Sequence, residues 1–128
     1  MLSTILTRFL KFVKAVLEGI VKAQAAAQPF VYPTGLNDVP MSPISDIGVF
    51  CNARWKLDDF LRVIRLDVER AIKYRAVFAL LAHPSGLYPN DPKFKTVELL
   101  CDLVEQAGDR AAIVDRDTIA KQTTAASR

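Results

Sequence analysis

The sequence predicts an α/β fold: a partial (β/α) barrel with two or three parallel strands, crossover helices and an extra N-terminal amphipathic helix. Three observations carry that expectation. Helical periodicity alternates with short apolar runs, the pattern of strands joined by crossover helices. The run Val77–Ala82 is apolar without alternation, as in a strand covered on both faces. The candidate strands stand about 30 residues apart, the size of a βαβ unit. A closed barrel needs roughly 200–250 residues, so a chain of 128 residues accounts for only part of one.

The first element is helical. Leu2–Val21 is long enough to cross a bilayer core of about 30 Å. However, Arg8, Lys11, Lys14 and Glu18 lie inside it, each costing about 2.5–3.5 kcal/mol at a helix centre. The same charges interrupt the unbroken apolar stretch that a signal peptide requires. An amphipathic helix fits better, with Thr4, Thr7, Arg8, Lys11, Lys14, Ala15, Glu18 and Lys22 forming one polar stripe. Its apolar remainder is expected to dock on the sheet, with attachment to a membrane surface as the alternative. Residues 1–27 therefore form an N-terminal helical unit, 28–122 the α/β region and 123–128 a frayed tail.

From Gln28 to Arg54, prolines and glycines predict a long loop with room for a short strand around Leu36–Met41. Leu57, Phe60, Leu61, Ile64, Val68, Ala71 and Ile72 then follow the helical i, i+3, i+4, i+7 template. Asp58 and Asp59 in the first turn and Lys73 and Arg75 in the last suit the helix dipole. After the Val77–Ala82 run comes a turn over His83–Pro92, with Asp91 as helix cap and Pro92 at the first helical position. Phe94, Val97, Leu100, Cys101 and Val104 mark the apolar face of the next helix, which Gly108 closes. Ala111–Val114 reads as another short buried strand, and Asp115 or Asp117 as the cap of a last short helix.

Composition narrows the chemistry. Lys and Arg outnumber Asp and Glu by 17 to 14, and the pI is near 9.0, a mild basicity that points away from nucleic acid. One histidine and two cysteines exclude a zinc site of four cysteines, or of two cysteines and two histidines, and a multi-disulfide scaffold. No phosphate-cradling glycine loop, GxSxG or HExxH is present. His83 is the leading candidate, because the carboxyl ends of α/β strands carry ligands and catalytic groups. It can serve as a general acid or base near neutral pH, or it can simply end a strand and bond backbone groups. Cys101 reads as a small buried residue and Cys51 as a loop thiol with no activating partner. Asp38 and Asp46 share the long loop, where aspartates commonly cap turns.

The string Phe78-Ala-Leu-Leu-Ala-His83-Pro-Ser-Gly-Leu87-Tyr88, with Asp91-Pro92 and Gln106-Ala-Gly-Asp-Arg-Ala-Ala-Ile-Val-Asp115, resembles the C-terminal part of bacterial polysaccharide deacetylases. The upstream segments Gln28–Leu36 and Pro40–Asp46 are similar too, so the likeness runs from about Ala23 to Ala120. The resemblance implies a distorted (β/α)7 barrel and hydrolysis of an N-acetyl amide on a carbohydrate-like substrate. It also implies a divalent metal, usually zinc, held by one Asp and two His, with a further Asp as base. Leu81-Ala82-His83 matches the family's late leucine-x-histidine motif. By resemblance, Leu81 walls the acetyl group, His83 is the general acid for the leaving amine, and Asp46 tunes that acid. No Asp-Asp-Gly occurs, and a single histidine leaves no His-x-x-x-His pair. No metal is therefore expected in this chain.

The resulting expectation is the C-terminal portion of a deacetylase, from a truncated or split gene, inactive alone. The alternative is a non-catalytic interaction module. The expected partners are an N-terminal barrel half or a second copy, through the exposed sheet and the N-terminal helix. Nucleic acid is not expected, a membrane is disfavoured, and a cytoplasmic location is expected.

Overall fold

The computed structural model describes Leu2–Arg128. The long amphipathic stretch forms α1 (Leu2–Ala26), followed by a two-stranded hairpin, β1 (Phe30–Val31) and β2 (Asn37–Asp38). These strands pair antiparallel, Phe30 opposite Asp38 and Val31 opposite Asn37. The turn between them uses Gly35 at φ +87°, where a side chain would be strained. A π-helical turn, Ile47–Asn52, leads to α2 (Leu57–Tyr74), α3 (Pro84–Asn90), α4 (Lys95–Ala107) and α5 (Arg116–Ala126).

The core gathers where α2 meets the π-helical turn, α3 and α4. Ile44, Val49, Phe50, Phe60, Val63, Ile64, Val68, Leu87 and Leu103 are its buried members. The Phe50 and Phe60 rings meet edge to face with centroids 5.0 Å apart, a preferred aromatic geometry. α2 supplies the largest share because its buried positions recur at helical spacing. The second half of α1 packs on it, with Leu17 and Ile20 against the core.

This architecture overturns the expected partial (β/α) barrel. The fold is mostly helical, and the one sheet among the described residues is the small antiparallel hairpin. Val77–Ala82 is extended, half-buried as far as Leu81 and exposed at Ala82, but it joins no sheet. Its first residue already has its backbone satisfied by a side chain. Gln28 Oε1 accepts from the Val77 N–H at 2.8 Å, and Gln28 Nε2 donates to the Val77 carbonyl at 3.0 Å. Ser42 N–H donates to the Ala79 carbonyl at 2.7 Å, and a lone parallel bridge joins Ser45 to Leu81. An apolar run thus became extended chain without becoming a strand, because a ladder needs a second continuous partner.

Other elements moved as well. Ala111–Val114 forms no strand, and Ala112, Ile113 and Val114 are exposed, Ile113 at 69% of its full accessibility. The expected turn after His83 is the helix α3. The expected face of α4 points outward only in part: Phe94, Val97 and Cys101 are exposed, whereas Leu100 packs against the core, Val104 is half-buried, and Thr96, Leu103 and Ala107 are buried. α4 carries apolar residues on two sides, so periodicity alone could not choose the packed one. Its start also lies beyond Pro92. Asp91 is nevertheless its cap, reaching forward so that its carboxylate accepts from Lys95 N–H and Thr96 N–H, both at 2.8 Å. Asp115 caps α5 through Thr118 N–H, and that helix continues to Ala126, leaving a shorter tail than expected. No helix among the described residues is long and apolar enough to cross a membrane.

Candidate functional site

The site is built by the two extended segments that run side by side. The Ser45–Leu81 bridge sets their register and places Asp46, next in one segment, against His83, two residues on in the other. Asp46 Oδ2 accepts from the His83 backbone N–H at 2.7 Å, and Oδ1 lies 3.0 Å from His83 Nδ1. The Asp46 side chain is sealed from solvent while that of His83 is 47% exposed. The carboxylate is therefore the inner support and the imidazole the outward-facing group.

One glycine makes this approach possible. A Cβ on Gly86, in the first turns of α3, would stand 2.6 Å from Asp46 Oδ2 and 2.6 Å from Ile47 Cδ1. Only a residue without a side chain lets α3 close over the carboxylate. Gly48 lies in the π-helical turn that begins just after Asp46, and its N–H donates to Ser45 Oγ at 3.1 Å.

Burial by itself pushes the Asp46 carboxyl upward, but stabilising contacts win and hold it below the usual carboxylate range. These are the hydrogen bond to the His83 ring, the donated N–H groups of His83 and Ile47, and attraction to the imidazolium. Asp46 is thus ionised near neutral pH and can only accept. The proton shared with His83 therefore sits on Nδ1, which leaves Nε2 as the working nitrogen. Arranged this way, a carboxylate fixes the ring's tautomer and orientation.

Of the residues singled out from sequence, the structure brings Asp46 and His83 together, with half-buried Leu81 two residues before the imidazole. Asp38 lies apart in β2, and Tyr32 Oη reaches its Oδ2 at 3.4 Å. Cys51 and Cys101 are both exposed free thiols, so the burial expected of Cys101 is corrected. The family's zinc finds no fit here. No group of three or more His, Cys, Asp and Glu gathers among the described residues, and both oxygens of Asp46 are committed to His83. Sequence reasoning missed Asp67, fully buried on α2 with neither carboxylate oxygen hydrogen-bonded. The signal was available: Asp67 falls four residues after Val63 and three after Ile64, on the apolar stripe of its helix. Gly86 was missed for lack of any local cue. A hollow of about 630 Å³ between α2 and α4, lined by Glu69, Lys73, Arg75 and Arg110 among others, does not include His83.

No family model matches the chain, and no curated protein or solved structure matches it either.

Proposed function

We propose that the chain supplies an oriented proton donor, the Asp46–His83 pair, to hydrolysis of an N-acetyl amide on a carbohydrate-like substrate. A partner polypeptide holds the metal ligands that this chain lacks. The observation that carries the reading is the sealed Asp46 carboxylate gripping both the backbone and the ring of a half-exposed His83. In this reading protonated His83 Nε2 donates to the departing amine nitrogen as the C–N bond breaks. Asp46 offsets the positive charge on the ring beforehand, and Leu81 offers an apolar surface beside it. The likeness of Leu81-Ala82-His83 to the deacetylase motif supports the assignment of substrate class.

The test is acetate release from an N-acetylated chito-oligosaccharide. The chain alone is expected to release none above a His83→Ala control. Mixed with an N-terminal deacetylase portion bearing Asp-Asp-Gly and His-x-x-x-His, it is expected to restore release. His83→Ala should then lower the restored rate by about 10²–10⁴-fold, the usual worth of a positioned acid. Restored release that is indifferent to His83→Ala would sink the reading. The bare apolar half of α1 favours a second reading, a non-catalytic interaction module, for which the mixture restores nothing.

A further inference from the structure

α1 divides into two halves with different surroundings. From Val13 onward it has neighbours: Leu17 and Ile20 pack against the core, and Gln24 is buried with its amide donating to the Val77 carbonyl. Residues 3–12 are exposed all round the helix. Ile5, Leu6, Phe9, Leu10 and Phe12 each keep 57% or more of their accessibility. At 3.6 residues per turn these side chains cover roughly half the circumference. Arg8 and Lys14 flank the two edges of that arc, and Lys11 stands opposite its centre. The first acidic residue is Glu18, which pairs with Lys14.

We infer that the first half of α1 is an interfacial helix that lies on an anionic lipid surface, its phenylalanines and leucines in the acyl boundary and its cations at the headgroups. The charge pattern chooses the occupant. A second copy laid on the same face would bring the flanking Arg8 and Lys14 near the same cations of the other helix, with one carboxylate per helix to offset them. A negatively charged headgroup layer complements Arg8 and Lys14 together, and long cationic side chains at the edges of an apolar arc can reach it while their stems stay buried. The arc is also wider than the narrow seam a single partner helix covers. No helix among the described residues can cross the bilayer, so the attachment is lateral. This inference goes beyond the deacetylation reading and does not depend on it.

Flotation of the full chain with vesicles tests it. The chain is expected to float with phosphatidylglycerol–phosphatidylcholine vesicles, at least tenfold more than with phosphatidylcholine alone, and to be released at high salt. Phe9→Glu with Phe12→Glu should abolish flotation, and Arg8→Glu with Lys14→Glu should reduce it at least tenfold while leaving the apolar arc intact. All four side chains are exposed, and unchanged far-ultraviolet circular dichroism in free solution checks that the helix persists. Three results would overturn the inference. These are no flotation with anionic vesicles, equal flotation with both vesicle types, and a dimer in free solution that Phe9→Glu with Phe12→Glu dissociates.

Discussion

At the scale of single residues, the Asp46–His83 pair depends on a neighbour that never touches the imidazole. Gly86 is the residue over which α3 closes on Asp46, and a methyl group there would lie 2.6 Å from Oδ2. Gly86→Ala must push the carboxylate aside or lift α3. Overpacking of this kind costs about 1–3 kcal/mol, to be read from the urea midpoint. The more telling readout is the imidazole itself. ¹⁵N shifts of His83 should report a single Nδ1–H tautomer in the parent chain. In Gly86→Ala, and in Asp46→Asn, they should report a mixture. An unchanged tautomer in Gly86→Ala would mean that the carboxylate does not need this glycine. The position of His83 was legible in the sequence because it ends an apolar run before a proline. The pairing with Asp46, 37 residues earlier, was suggested only by resemblance. Nothing in local spacing says which of several loop aspartates will meet a distant histidine.

At the scale of elements, capping decides how α4 begins. Asp91 is fully buried, and both its oxygens accept from backbone N–H groups in the first turn of α4. Phe94 at the boundary adopts the left-handed conformation at φ 52°, an unfavourable one for a bulky residue. The buried carboxylate outweighs that strain by satisfying two otherwise orphaned donors. Asp91→Ala is expected to destabilise the chain by about 1–2 kcal/mol, measured by urea unfolding. Asp91→Asn should recover part of that loss, since its single carbonyl can still serve one of the two N–H groups. A loss below a few tenths of a kcal/mol in Asp91→Ala would show that water caps the helix equally well. Elements with strong 3.6 periodicity were legible: α1, α2 and α4 all stand where the pattern puts them, within a few residues. Val77–Ala82 was not, because a strand is defined by its partner, and here Gln28 takes the place of one. α3 was hidden by its composition, Pro-Ser-Gly-Leu-Tyr-Pro-Asn, which signals a turn.

At the scale of the whole molecule, two buried carboxylates pull the pH dependence of stability in opposite directions. Asp46 is held below its unfolded value of 3.8. Its contribution is present above that value and is lost as pH falls through the lower folded one. Asp67 is the reverse case, since desolvation in the core pushes it up to about 7. The folded chain keeps the Asp67 proton that the unfolded chain gives up, so stability falls as pH rises from about 4 to 7 and then levels off. Each unit within that window is worth about 1.4 kcal/mol. Stability is thus expected to peak in mildly acidic solution, below neutrality. Replacing Asp67 by leucine removes the second effect and fills the site with an apolar side chain of suitable size, so Asp67→Leu should be the more stable chain at pH 8. The gap between the two should narrow by about 3 kcal/mol on going to pH 4.5, where the parent Asp67 is again neutral in the folded state. Urea unfolding of both chains across that range gives the measurement. A gap that stays constant with pH would mean that Asp67 is charged in the folded core and has found a partner there.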